Sequence, residues 1–197
     1  MTMTINEMFN NRTIVSNIPL VYEGRELSAK LQAKLMIMRV SYDKAMSAFQ
    51  DKMKEVANGL KPEGYDELER EIAKMLEIEG KEKAFKEWNG DGEKPAEPTK
   101  EELEEAKKIR AEKHEDYEAK KAVLIEKINE AYIQEGSEQA DIKVKMLTGE
   151  DYAEIVSVVK TEGFINYVGH NGMKIHAADG GIPKITFLGL IAANLVE

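Results

Sequence analysis

The sequence predicts an α+β protein: a long antiparallel helical hairpin, a coiled-coil-like arm, on a small β-containing base formed by both chain ends. Two observations predict the arm, namely an apolar stripe from Ser28 to Leu60 and a second long helical stretch that begins at Thr99. Short alternating apolar segments near both termini predict the strands of the base. A chain of 197 residues is long enough for one domain with an appendage.

Residues 1–27 are predicted to form an N-terminal lead-in and an edge strand. The first twelve residues are polar and rich in asparagine, which is typical of a loose lead-in. After them, apolar residues at alternate positions predict a strand over Thr13–Tyr22. Pro19 lacks the N–H that a sheet ladder needs, so this strand should lie at a sheet edge.

Residues 28–135 are predicted to form the arm, and its first helix should begin with Ser28 as the N-cap. Residues 35–40 are apolar on more than one face of this helix, so we expect the β segments to cover this turn from several sides. The stripe of the helix recurs at steps of three or four and comprises Leu31, Leu35, Met38, Tyr42, Ala45, Phe49, Met53, Val56 and Leu60.

A second, shorter helix is predicted from Tyr65, and Gly80 should interrupt it. Gly and Pro residues then predict a flexible tip at residues 81–98. Thr99 and Glu102 have capping-box spacing and open a third helix to about Gln134. Its first half, residues 100–121, is charge-rich and expected to be solvated, and its apolar end should run antiparallel beside the start of the first helix.

Residues 136–197 are predicted to form a C-terminal α/β base. Ile142–Met146 alternates with lysines as a strand, and Thr148 caps a short helix over residues 150–159. Asn171-Gly172 predicts a hairpin that places Val168 opposite Ile175 and Tyr167 opposite His176. Ile185–Leu190 is apolar on both faces, as a central strand or core segment would be.

Composition disfavours several classes of function. A net charge of −9 repels phosphate backbones, so nucleic acid is not an expected partner. The absence of cysteine fits a reducing, intracellular environment, and Met1–Phe9 lacks the pattern of a signal peptide. The most apolar stretch, Ile185–Val196, is shorter than the roughly 20 residues of a membrane span. We therefore expect a cytoplasmic protein that does not bind membranes.

Residues suited to acid–base catalysis fall close together near the C-terminus, at Tyr167, His170, His176 and Asp179. Turn and surface-strand positions explain these residues equally well, and their spacing matches no metal-ligand motif. A second acidic group, at residues 114–116, lies on a helix whose many charges indicate a solvated face. We expect no catalytic, metal or cofactor site.

Four apolar residues are the candidates for contacts with a protein partner. Trp88, beside Phe85 in the predicted tip, could anchor a partner or act as a local plug. Phe49 and Met53 belong to the stripe of the first helix, which could be core or an oligomer seam.

Two segments carry a resemblance of layout. These are YEAKKAVLIEKINEAY (Tyr117–Tyr132) and ADIKVKMLTGEDYAEIV (Ala140–Val156), which follow a strand and a long helix. The layout over residues 13–156 resembles that of small uncharacterised helical-hairpin proteins of tailed bacteriophages. The resemblance implies a non-enzymatic role in assembling or decorating a particle, with the virion as its location, and it transfers no binding residues.

The sequence therefore predicts a non-enzymatic assembly or interaction protein, homo-oligomeric or part of a larger symmetric complex, with protein partners and no small-molecule substrate. Two alternatives stay open. One is a small metal-dependent or acid–base enzyme that uses His170, His176 and Asp179. The other is an acidic regulator that sequesters a basic partner by charge.

Overall fold

The α+β fold class is confirmed by a computed structural model that describes residues 3–140, 142–169, 174–175 and 181–197. Helices dominate these residues, and the strands form three antiparallel pairs, β1–β2, β3–β6 and β4–β5. The helices are α1 (Ile5–Asn17), α2 (Ala29–Gly59), α3 (Tyr65–Glu87), α4 (Lys100–Ser137), α5 (Gly149–Val159) and α6 (Lys184–Leu195). The strands are β1 (Val21–Tyr22), β2 (Arg25–Glu26), β3 (Phe164–Ile165), β4 (Tyr167–Val168), β5 (Lys174–Ile175) and β6 (Ile182–Pro183).

The chain divides into two compact units. The first unit joins both chain ends, Met1–Lys52 and Ile133–Glu197, and the second unit is the intervening Met53–Tyr132. The six strands that the structure describes all belong to the first unit, as predicted for a β-containing base formed by both ends. Among the described residues, no helix is long and apolar enough to cross a membrane.

The predicted lead-in and most of the predicted strand are wrong, because residues 5–17 form α1. Of the strand predicted over Thr13–Tyr22, only Val21 and Tyr22 lie in a strand, β1. Thr4 and Glu7 form a capping box: the Thr4 hydroxyl accepts from Glu7 N at 3.2 Å, and a Glu7 carboxylate oxygen accepts from Thr4 N at 2.7 Å. At the other end, the Arg39 guanidinium donates to Ile18 O at 2.6 Å and to Val15 O at 3.2 Å. Both ends of α1 therefore have partners for their free backbone groups.

The stripe of α2 is buried as predicted. Ser28 is the N-cap, since its hydroxyl accepts from Leu31 N at 3.3 Å. The fully or nearly fully buried members of the stripe are Leu31, Leu35, Met38, Tyr42, Phe49 and Met53. The expectation that residues 35–40 are covered on several sides is wrong, because Met36, Ile37 and Val40 are exposed.

The C-terminal segment differs from the prediction in two places. Of the two alternatives for Ile185–Leu190, a central strand or a core segment, the structure shows the core segment: it lies in α6, and Phe187, Leu188 and Ile191 form the buried face of that helix. The β4–β5 pair is present, but its register is shifted by one, so that Tyr167 pairs with Ile175. The predicted Asn171-Gly172 turn lies outside the described residues. Residues 142–146 form no regular strand, and a single bridge joins Leu147 to Val196.

Helices α3 and α4 form the core of the second unit. Tyr65 at the start of α3 stacks on Tyr117 at 5.6 Å between ring centroids, whereas Lys74 further along α3 pairs with Glu105, earlier in α4. The two helices are therefore antiparallel and form a helical hairpin, whereas the sequence predicts that the third helix lies beside the first. Their buried seam is Tyr65, Ile72, Met75, Ile78, Ala106, Ile109, Tyr117 and Leu124.

Two expectations for the second unit are wrong. Gly80 does not interrupt α3, which continues through it to Glu87. Residues 81–87 of the predicted tip are therefore helical, and residues 88–98 of it have no regular structure. The first half of α4 is not simply solvated, because Ala106, Ile109 and Tyr117 are buried against α3. A sparse stripe suffices there, since a coiled-coil seam needs only two apolar positions in seven.

Candidate functional site

An exposed apolar surface lies on the side of α2 that faces away from the buried stripe. The side chains of Met36, Ile37 and Val40 are 56%, 68% and 67% exposed, although Leu35 just before them and Met38 between them are fully buried. At 100° per residue, these three positions lie about 100–160° around the helix from Leu35. They are therefore a separate surface and not the fringe of the core. We call Ala33, Met36, Ile37 and Val40 the outer face of α2.

A pocket of about 410 Å³ borders this outer face. Its apolar lining comes from Ala33, Ile37 and Met38 on α2 and from Val144 on the extended segment 142–146. Four lysines line it as well, and we call it the lysine pocket. Lys30 and Lys34 are one turn apart on α2, and Lys143 and Lys145 flank Val144. Thr148, Glu150 and Asp151 close it at the beginning of α5.

One of the four lysines is neutralised within the chain. Lys34 Nζ lies 2.5 Å from an Asp151 carboxylate oxygen, and that oxygen also accepts from Thr148 N at 2.9 Å as part of the α5 capping box. Burial alone would raise the pKa of Asp151, but the hydrogen bonds from Lys34 and Thr148 outweigh it and lower the pKa. The lowered pKa keeps Asp151 ionised, and its ion pair with Lys34 joins the beginning of α5 to α2.

The other three lysines, Lys30, Lys143 and Lys145, are exposed and form no ion pair with any residue that the structure describes. The pocket lining holds four lysines against Glu150 and Asp151. The beginning of α5 adds the partial positive charge of a helix N-terminus. The site is thus locally positive in a chain whose net charge is −9.

In the second unit, Phe85 and Trp88 pack around one lysine at the end of α3. Lys94 Nζ lies 4.8 Å from the Phe85 ring centroid and 5.7 Å from that of Trp88, within the range of cation–π contacts. Trp88 is the C-cap of α3 and is 38% exposed. Both roles considered for Trp88, a local plug and an anchor for a partner, are compatible with this geometry. The Trp88 ring packs against Lys94 within the chain, and part of it is exposed to solvent.

The other two candidate contact residues are buried within the chain. Phe49 is 6% exposed and meets Phe9 edge to face at 5.5 Å between centroids. Met53 is 1% exposed. In the first unit, Phe49 therefore has the role of a core residue, whereas Met36, Ile37 and Val40 on the outer face of α2 are exposed.

Of the four residues considered for catalysis, the structure describes only Tyr167. His170, His176 and Asp179 lie outside the described residues. Tyr167 is buried against Phe187 at 6.0 Å between centroids, and this burial raises its pKa. Asp116 on α4 pairs with Lys120 at 3.1 Å. Among the described residues, no three His, Asp or Glu side chains are close enough to hold a metal ion.

Sequence reasoning missed the lysine pocket, although it noted the alternation of lysines in residues 142–146. Searches against protein-family models, curated proteins and solved structures give no match to this chain.

Proposed function

We propose that this chain is a non-catalytic assembly protein that associates with further copies of itself, or with subunits of a larger complex, through the outer face of α2. The observation that carries the proposal is the exposure of Met36, Ile37 and Val40. A cluster of large exposed apolar side chains is typical of an interaction surface, whereas single exposed apolar residues are ordinary. Complete burial of such a side chain contributes about 1.5–3 kcal/mol, so covering all three would stabilise a contact measurably.

Charge supports association between copies. Residues 53–132 hold 23 acidic and 16 basic side chains, a net charge of −7, so the second unit carries most of the acidity of the chain. The outer face of α2 is bordered instead by the positive lysine pocket of the first unit. Complementary potentials of this kind guide association and fix its register. A head-to-tail contact between the first unit of one copy and the second unit of another would use both surfaces.

The test is the oligomeric mass of the double variant Met36→Glu, Val40→Glu. Both positions are exposed and lie outside the lining of the lysine pocket, so the fold and the pocket should be retained. We expect the wild-type chain to form a defined oligomer by light scattering and the variant to be monomeric with unchanged helical circular dichroism. Val21→Glu, at a position 57% exposed on β1, is the matched control and should leave the mass unchanged.

The same measurement separates the two roles of Trp88. If Trp88 anchors a partner, Trp88→Ala should lower the oligomeric mass with little change in melting temperature. If it is a plug, the melting temperature should fall and the mass should stay. A wild-type chain that is monomeric at high concentration, and that captures no partner from its host, would reject the assembly proposal.

The resemblance of layout to tailed-phage proteins extends the proposal to a virion or particle-assembly component. Mass spectrometry of purified particles from the source organism tests this extension. Detection of the chain at a stoichiometric level would support it, whereas absence from particles, with the oligomer intact, would leave a cellular assembly protein.

A further inference from the structure

We propose that the lysine pocket binds a small anionic amphiphile, that is, an apolar body bearing a carboxylate or phosphate head. The inference does not depend on the outer face of α2 as an assembly surface. It goes beyond the sequence expectation, which included no small-molecule ligand. The carrying observation is that an apolar cavity shares one site with three lysines that form no ion pair within the described part of the chain.

The size and lining of the cavity suit a small molecule. At about 410 Å³ it falls within the range of about 300–1,000 Å³ that ligand pockets occupy. Ala33, Ile37, Met38 and Val144 offer apolar contacts, and Ser41 and Thr148 add hydroxyl groups. A purely ionic ligand such as free phosphate would leave the apolar lining unused, so the ligand should carry an apolar body.

The lysines define the charge of the ligand. Because Asp151 holds Lys34, an incoming anion would be met by Lys30 from α2 and by Lys143 and Lys145 from the extended segment. A charge-assisted hydrogen bond from lysine to carboxylate or phosphate is roughly twice as strong as a neutral one. Glu150 is the one acidic side chain of the lining outside the Lys34 pair, so an amphiphile with a cationic head has little to bind.

The experiment is a titration of the full chain with decanoate and decyl phosphate below their micelle concentrations. Binding is followed by calorimetry and by the methyl NMR signals of methionines. Met38 lines the pocket and is fully buried, so its signal should shift, whereas Met75 in the second unit should not respond. Decyltrimethylammonium supplies the same body with a cationic head, decanol supplies the body alone, and acetate supplies the head alone. We expect all three to bind at least tenfold more weakly than the two anionic amphiphiles.

Two variants locate the site. Lys143→Gln with Lys145→Gln should weaken decanoate binding at least tenfold without changing the melting temperature, because both side chains are exposed. The matched control is Lys83→Gln with Lys107→Gln, which removes the same charge from exposed positions of the second unit and should bind as the wild type does. Ala33→Phe places a ring against the cavity from the exposed side of α2 and should weaken every amphiphile.

Three results would overturn the proposal. The first is the absence of saturable binding of either anionic amphiphile to the wild-type chain. The second is equal binding of decyltrimethylammonium, or unchanged binding in the Lys143→Gln, Lys145→Gln variant. The third is a glutamate-rich peptide that binds more tightly than decanoate and displaces it, which would assign the pocket to an acidic protein segment. None of these results alters the mass of the Met36→Glu, Val40→Glu variant, so the two proposals fail separately.

Discussion

In the second unit, contacts join residues a moderate distance apart in sequence, whereas in the first unit they join the two ends of the chain. The Glu71–Lys113 pair between α3 and α4 spans 42 residues. In the first unit, the Asn17 side chain bonds both backbone groups of Val168 across 151 residues, and Asn10 meets Asn194 across 184. Contacts that close long loops cost more entropy before they stabilise. The second unit could therefore form early, and the first unit only when both ends are present.

The largest effect is expected from a cavity in the core of the first unit. Phe187 on α6 is fully buried, so Phe187→Ala should lower the free energy of unfolding by about 3–5 kcal/mol. Ile185→Ala, on the same helix at a position 62% exposed, is the control and should change it by about 0.5 kcal/mol or less. Denaturant unfolding followed by circular dichroism measures both. Similar losses from both variants would contradict the burial pattern of α6.

A slightly smaller effect is expected from the seam of the second unit. Met75 is fully buried between α3 and α4, so Met75→Ala should cost about 2–5 kcal/mol. Leu76→Ala, one residue along and 55% exposed, is the control.

The single tryptophan, Trp88, lies in the second unit and reports on it by fluorescence. If the units unfold separately, Met75→Ala should move the fluorescence transition more than Phe187→Ala does; equal shifts would indicate one cooperative transition.

The helices predicted correctly are those in which the apolar periodicity and the N-capping residue indicate the same helix. The stripe of α2, the Thr99–Glu102 box of α4 and the Thr148 cap of α5 all appear in the structure where the pattern predicts them. Failure came in short apolar runs, which carry a strand and a helix period at once. Ile14 and Ile18 are four residues apart, a spacing that fits one turn of a helix and equally two repeats of a strand. The Thr4–Glu7 capping box, which indicates the helix, was overlooked.

The candidate site was much less predictable than the fold. The lysine pocket combines α2 with residues 143–151, which are more than 100 positions away, so no local pattern contains it. Exposure of Met36, Ile37 and Val40 was also beyond sequence reasoning, because an apolar turn gives no sign of which face the chain itself will cover. Tertiary packing decides both, and the sequence encodes such packing only indirectly.

A smaller effect on stability, confined to alkaline pH, is expected in the second unit. Burial and the hydrogen bond with Tyr117 raise the pKa of Tyr65 to about 12. In the unfolded chain a tyrosine titrates near 10, so the stabilisation is fully present below about pH 10 and is lost as the pH rises towards 12. Tyr65→Phe should remove this part of the alkaline loss, which unfolding at a series of pH values would show. A wild-type and variant difference that is constant with pH would contradict the shifted pKa.

The smallest effects on stability should come from the three threonine N-caps, of which Thr4 and Thr148 lie in the first unit and Thr99 lies in the second. Each hydroxyl accepts one backbone N–H at a helix start, at 3.2 Å in all three, so replacement by alanine should cost about 1 kcal/mol. Thr99→Ala should lower the midpoint of the fluorescence transition, which reports on the second unit. Thr4→Ala should lower the midpoint of the circular-dichroism transition and leave the fluorescence transition unchanged. Thr4→Ser and Thr99→Ser keep the hydroxyl and should recover most of the loss, because serine is as good an N-cap as threonine. If serine is as damaging as alanine, the methyl group and not the cap hydrogen bond is what each threonine supplies.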